Sequence, residues 1–398
     1  MPIGSGTVSF SDIRTEFGGS GAVSISDYYR GTTNVRANAG NNSTTNLAAS
    51  VPESGALDFS DYRNTAKGFK KTYSSTATNQ DLSTVFGDDY AVDYPKQVEV
   101  QSGVELGGES NSQYGIHVSS GSSGAITVTN QGTITGAGGP SGGAGGSAVR
   151  VNTPSVTFTN NGTLRGGGGA GGNGGAGGAG GAGGAGGPAF TNGPPVTQPC
   201  GPCPSNLVPF GGGASCAMGD SSRPNCYAVF GPSGGGAGGS GGSAGSAGSG
   251  GVGQGYQQDV GTGSSGGTGS SGSGGSSGGS QGVTTGFSNP GNGGTGGSGG
   301  NGGSGGDGGS FGNAGSAGSS GQAGSTGSTG SASSYGWSGC ASNAPGDGGD
   351  SSERFINGSG GSSGQAGSSG QAGGAAGNAL LQSVACSFTN NGTVQGAT

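Results

Sequence analysis

Apolar and polar residues alternate along a series of short stretches between Tyr90 and Gly166: YAVDYPKQVEV, YGIHV, AITVTNQGTITG, AVRV and SVTFTNNGTLRG. A period of two is the mark of a strand with one face buried. The last stretch returns at the far end of the chain as CSFTNNGTVQGAT, so Phe158–Leu164 matches Phe388–Val394, and Val128–Ile134 is a third copy. Apolar residues flanking an Asn-Gly pair predict a hairpin or a tight solenoid corner, because Asn and Gly accept positive φ at least cost. The three copies read as rungs of one small β-platform, with the last rung supplied by the C-terminal stretch.

A different pattern precedes them. GTVSFSD from Gly6, GAVSISD from Gly21 and GALDFSD from Gly55 each alternate like a short strand and end in Ser-Asp, a pair suited to starting a helix or turn. SDIRTEFGG then predicts one or two helical turns closed by Gly18. Units this small bury little alone and are expected to dock on something larger.

Between the second and last copies of the strand phrase the period becomes three. Gly-Gly-x runs from Gly166 to Gly187 and from Gly291 to Gly309; Gly-x-x phasing holds for Gly239–Gly251, Gly263–Gly278, Gly312–Gly330 and Gly358–Gly373. Three residues per turn is the period of an extended polyproline II-type helix, which has no internal hydrogen bonds. Such helices gain order only by lateral pairing through backbone groups. A Gly-Gly-x helix has glycine on two faces and belongs in the centre of a bundle; a Gly-x-x helix belongs at its rim. At roughly 3.1 Å per residue the runs make rods of about 40–70 Å. Glycine phase is unbroken from Gly291 to Gly330, so a turn at Ser310-Phe311 and one long rod are both open.

Composition sharpens this picture. Glycine supplies 109 of 398 residues, only 27% are hydrophobic and 8% charged, with 12 basic and 19 acidic side chains. That glycine share is about four times the average and signals disorder unless a strict period is present, as it is here. The acidic balance, with every lysine ahead of residue 100, gives no reason to expect nucleic-acid binding. The start has no charged region followed by an apolar run, and no stretch approaches the roughly 18 apolar residues of a membrane helix. The aromatic residues of the second half fall where the glycine period breaks: Phe210, Tyr227, Phe230, Tyr256, Phe287, Phe311, Tyr335, Trp337 and Phe355. Those stretches are the expected turns between rods, and Tyr227, Tyr256, Phe287, Phe311, Tyr335, Trp337 and Phe355 are the candidate recognition residues. The other reading makes these aromatics hydrophobic plugs at the bundle ends.

Catalytic signals are weak. Cys200 and Cys203 form CGPC, but Pro204 follows and no βαβ pattern surrounds it; together with Cys216 and Cys226 they are candidates for structural disulfides of open connectivity. Asp347, Asp350 and Glu353 read as an exposed acidic loop, GGSGGDGGS lacks the apolar residue of a calcium-binding nonapeptide, and the single histidine, His117, lies on a strand. No nucleophile, metal set or phosphate loop assembles, so neither an enzyme nor a cofactor is expected.

TNNGTLRGGGGAGGNGGAGG resembles the glycine-rich modules of bacteriophage tail-fibre and tail-tip proteins, and rods joined by aromatic turns resemble the distal tail-fibre adhesins of T-even-like phages. The GTVSFSDIRTEF phrases are similar to stretches in structural proteins of marine and cyanobacterial phages. The resemblance implies an extracellular virion protein whose N-terminal region attaches to other tail proteins and whose far turns bind a host-surface glycan or outer-membrane protein, as a homotrimer or as a monomer at each tip. The cysteine-rich segment departs from those adhesins. A purely structural fibre or capsid decoration is the alternative, and glycine-rich antifreeze and mycobacterial surface proteins share parts of the pattern. The expected fold is mainly β and irregular: a small β-platform or β-solenoid plus a bundle of polyglycine II helices, with few short helices. Its parts are an N-terminal region (1–89), a β-rich platform (90–165), the glycine-rich bundle with its loops (166–380) and a C-terminal strand rejoining the platform (381–398).

Overall fold

The computed structural model describes residues 2–37, 44–185, 237–275, 281–283, 286–289, 292–331, 333–337, 354–356 and 359–398. The protein is mainly β. Its α-helices among these residues are short, Phe10–Phe17 and Leu82–Phe86.

The alternating stretches build a parallel solenoid, in which the chain visits three sheets in a fixed order. The first rung is Phe69–Tyr73, Ala77–Thr78 and Gln80–Asp81; the second Lys96–Val100, Glu105–Gly107 and Ile116–Val118; the third Ile126–Asn130, Thr133–Thr135 and Val149–Val151. The fourth opens with Val156–Asn160 and Thr163–Arg165, and takes its third strand, Leu380–Gln382, from the far side of the glycine-rich region. Ser387–Asn390 and Thr393–Gln395 begin a fifth. The solenoid starts ahead of the residue-90 boundary, because Phe69–Tyr73 already pairs in parallel with Lys96–Val100.

Period-two patterning produces this directly, since stacked rungs put like residues in register. Lys71, Val98, Val128, Phe158 and Phe388 form one ladder, and Leu106, Ile134, Leu164 and Val394 another. Val128, Phe158, Leu106, Ile134 and Leu164 are fully buried, each such side chain contributing about 1.5–3 kcal/mol. Lys96 interrupts an apolar row, and its ammonium is accommodated by donating to the carbonyls of Val92 (2.7 Å) and Tyr94 (2.9 Å).

The Asn-Gly phrase is a corner between two sheets, not a hairpin, and its chemistry differs from the expectation. None of Asn130, Gly132, Asn160 and Gly162 has positive φ. The asparagines form a ladder instead: Asn130 Nδ2 donates to Asn160 Oδ1 and Asn160 Nδ2 to Asn390 Oδ1, both at 2.8 Å. Glycine is required because stacked corners approach closely; a Cβ on Gly162 would lie 2.1 Å from the Gly132 carbonyl oxygen.

The N-terminal repeats form three related caps. Ser9 with Asp12, Ser24 with Asp27, and Asp58 with Asp61 make capping boxes at the starts of Phe10–Phe17 and of the 3-10 turns Ile25–Tyr28 and Phe59–Tyr62. Gly18 closes the first helix at φ 82°, as predicted. The equivalent residues Ile13, Tyr28 and Tyr62 meet in a small core of their own, so these units bury more together than each could alone. The unit is fastened to the solenoid by strand Thr45–Asn46 on Phe69–Tyr73, by Tyr94 OH donating to the Asn34 carbonyl (2.9 Å) and by the Arg36–Asp89 ion pair.

Each of the first four rungs opens at the corner between its second and third sheets. The opening holds one residue in the first rung (79), then 108–115, 136–148 and finally 166–379. The glycine-rich region is thus the largest insertion at a corner that is extended repeatedly.

Candidate functional site

Within the last insertion six glycine-rich runs lie side by side: run 1 (166–185), run 2 (237–254), run 3 (261–275), run 4 (292–309), run 5 (313–331) and run 6 (359–377). Backbone N–H groups of one run donate to carbonyls of another at 2.7–3.1 Å, and the partners advance by three residues: Gly174 to Gly248, Gly177 to Gly245, Gly180 to Gly242. Runs 1 and 4 each bond to four other runs, runs 2 and 5 to three, and runs 3 and 6 to two. The two Gly-Gly-x runs are therefore central and the Gly-x-x runs peripheral, in two layers ordered 2-1-6 and 3-4-5. Between runs 4 and 5 the chain turns, with Asn313 N donating to the Ser310 carbonyl and Gly312 at φ 68°, which closes the open question of one long rod.

A bundle of period three is degenerate, because sliding one run by three residues re-forms the same backbone bonds. Residues that break the repeat remove the degeneracy. Asn173 Oδ1 accepts from Gly250 N (2.9 Å), Asn301 Oδ1 from Gly269 N (3.2 Å) and Asp307 Oδ1 from Gly263 N (2.9 Å). The insertion of the third rung adds a bracket that the sequence reading passed over: Gly139 and Gly142 donate to run 1, Gly145 to run 6, and Gly143 accepts from Ala170. Its Gly-Gly pairs at 138–139, 142–143 and 145–146 carry the same signal in miniature.

The turns sort to two ends. Tyr256, between runs 2 and 3, and Phe311, between runs 4 and 5, lie at the solenoid end. The Tyr256 ring covers Gly107 so closely that a Cβ there would be 2.0 Å from its Cγ, and burial, then Glu105 and Glu109, pushes its hydroxyl pKa up. Phe311 lies under the Arg165 guanidinium at 4.4 Å. Packed at the base, these two are separated from Phe287, Tyr335, Trp337 and Phe355.

Four strands from the stretches between runs 3 and 4 and between runs 5 and 6 lie at the opposite end, in one antiparallel sheet ordered Gln281–Val283, Gly286–Asn289, Ser333–Trp337, Arg354–Ile356. Tyr335 pairs with Ser288 and Arg354, Trp337 with Gly286, Phe287 with Gly336, and Phe355 with Ser334. Four of the seven candidates thus share one small sheet, although the sequence separates the first from the last by nearly seventy residues. Tyr227 and the cysteines 200, 203, 216 and 226 fall outside the described residues, as does the acidic loop at 347–353. His117 is held on its strand by Asp81, its Nδ1 2.9 Å from the carboxylate.

The described residues thus form a solenoid base, a glycine-rich shaft of six runs and a small antiparallel sheet at the far end. The family model of the phage tail fibre adhesin Gp38 matches residues 68–263, just under half of the chain, beginning one residue before the first solenoid strand. The match supports a phage tail-fibre adhesin, and such an adhesin is a virion component. No curated protein and no solved structure matches the chain. Among the described residues no helix is long and apolar enough to cross a membrane.

Proposed function

We propose that the chain recognises the host cell surface through the far end of its bundle, with the four-stranded sheet and the turns around it as the contact surface. The observation that carries this reading is the convergence of the aromatic, period-breaking turns on the end opposite the solenoid. Tyr335, Trp337, Phe287 and Phe355 supply the contact. The partner is a surface glycan or the exposed part of an outer-membrane protein, for which aromatic residues on a rigid base are suited: they give large contact area at little conformational cost.

In this reading the runs are polyglycine II helices and act as a spacer. Their lateral bonds at every third residue and their lack of bonds within a run support the assignment. Residues 2–67, which lie outside the family match and have their own core, attach the adhesin to other tail proteins. The role is binding, without catalysis.

The test is saturable binding of fluorescently labelled full-length protein to intact host cells, beside the double variant Tyr335→Ala, Trp337→Ala. Loss of binding by at least tenfold with an unchanged melting profile supports the reading. Equal binding by the folded variant removes these residues from the contact, and no binding by the folded wild type across related hosts favours a purely structural virion role.

A further inference from the structure

The outer face of the third solenoid sheet carries a chain of polar groups that neither the fold nor the far-end reading uses. Asp81, His117 and Arg150 are consecutive members of one ladder, with Leu381 beyond. Their hydrogen bonds can be assigned from valence alone. Arg150 Nε can only donate, and it reaches Asn152 Oδ1 at 3.1 Å. The amide nitrogen of Asn152 therefore faces His117 Nε2, at 2.9 Å, which must accept. The imidazole proton is left on Nδ1 and donated to Asp81 Oδ2 at 2.9 Å. Asp81 is further occupied by Ser83 and Ser119, whose hydroxyls both donate to its other oxygen. On its other side Arg150 Nη1 donates to Tyr114 OH at 2.7 Å, and its guanidinium carbon stands 5.5 Å from the centre of the Tyr114 ring.

The result is an arginine oriented from two sides by neutral groups. Arg30, Arg36, Lys70 and Arg165 each hold a carboxylate; Arg150 holds none among the described residues. The ladder neighbours are His117 and the uncharged Leu381, and Asp81 lies two strands away, roughly 10 Å by the ordinary strand spacing. Arg150 keeps free N–H groups on Nη1 and Nη2. Because Tyr114 OH accepts from Arg150, its own proton is also available. Arg150, Tyr114 and Asn152 are all partly exposed. A fixed fork of donors carrying an uncompensated positive charge is suited to a planar or tetrahedral oxyanion, and the adjoining hydroxyl and ring are suited to the sugar that bears it.

We propose that Arg150, with Tyr114 and Asn152, is a second binding site, for the carboxylate or phosphate of a charged saccharide. It lies on the solenoid flank, away from the far sheet, and does not depend on that sheet binding anything. A virion protein working against a cell surface meets both kinds of anion.

The experiment is calorimetric and ligand-observed NMR titration of the full-length protein with D-glucuronate, D-glucose 6-phosphate and D-glucose at low salt. Saturable binding of one or both charged sugars, absent for glucose and weakened at least tenfold by Arg150→Gln, is expected. Glucuronate alone would identify the carboxylate as the source, and the phosphate sugar alone the phosphate. Arg150→Lys, which keeps the charge and loses the fork, is expected to fall between wild type and Arg150→Gln, and Tyr114→Phe to weaken binding about two- to fivefold. Failure of both charged sugars to bind, or equal binding by a folded Arg150→Gln, overturns the proposal. The variant Tyr335→Ala, Trp337→Ala is expected to titrate like wild type, so failure here and failure of the far-end reading are separable.

Discussion

Adding the same methyl group at two glycines of the bundle is expected to give stability changes of opposite sign. At Gly178 in central run 1 a Cβ would sit 1.8 Å from the Gln365 carbonyl oxygen and 2.6 Å from its carbon. Ordinary contact begins near 3.4 Å, so run 6 would have to retreat by roughly 1.5 Å. That movement breaks or weakens the bonds Gln365 N to Ala179 O (2.8 Å) and Ser362 N to Ala182 O (2.9 Å), and it strains Gly178 N to Gln322 O (2.8 Å) on the side of run 5. Two or three backbone bonds at about 1–1.5 kcal/mol each come to about 2–4.5 kcal/mol. The smaller unfolded-state entropy of alanine offsets about 0.4–1 kcal/mol, leaving a net loss of about 1–4 kcal/mol. At Gly360, in run 6, a Cβ meets nothing within 4 Å and the backbone is outside the left-handed region. Gly360→Ala should therefore stabilise by about 0.4–1 kcal/mol. Hydrogen exchange read by mass spectrometry over 359–377 and 166–185, with a denaturant melt, measures both. Equal effects of Gly178→Ala and Gly360→Ala would refute the claim that lateral contact is what selects glycine.

Four further outcomes follow from the packing. Asn160→Ala removes the middle of a buried side-chain ladder and leaves Asn130 and Asn390 without their partner, so a loss of about 2–4 kcal/mol is expected in a denaturant melt, against a much smaller effect for Asn391→Ala on the exposed corner. Tyr256→Ala should destabilise the base of the bundle by about 1–3 kcal/mol while leaving cell binding within twofold of wild type; a large loss of binding would return Tyr256 to the contact surface. Burial lowers the Lys96 pKa to about 8, below its value in the unfolded chain, so between about pH 8 and 10 the unfolded state binds the extra proton and stability rises with pH. Lys96→Met should flatten that rise in a pH series of melts. Burial instead pushes the phenols of Tyr62, Tyr73 and Tyr90 up, so stability should fall once pH exceeds the ordinary tyrosine range near 10.

The glycine-rich region was legible in the sequence because period three leaves only one way to satisfy backbone groups, by lateral pairing, and because the number of glycine faces decides how many neighbours a run can take. Strand ladders such as Val128, Phe158 and Phe388 were legible for the same reason: repeated phrases stack. The sense of the Asn-Gly phrase was not, since Gly132 and Gly162 are needed for close approach of stacked corners and a single corner carries no sign of the next one. Tyr256 and Phe311 carry the same signal as the far-end aromatics, because a break in the period marks a turn without saying which end it occupies; only the count of runs from the solenoid outward does that. The polar chain from Asp81 to Arg150 joins residues almost seventy positions apart and has no local pattern.

The chain leaves the solenoid at Arg165 and re-enters it at Leu380 within a single rung, so everything between behaves as a cassette held by one pair of joints. Inserting one triplet into a single run would leave its turn out of step with the other five. Inserting one into each of the six would preserve every bond and move the far sheet outward by about 9 Å, given roughly 3.1 Å per residue. The distance from the joint to the far sheet is thus quantised, adjustable in uniform steps without altering either.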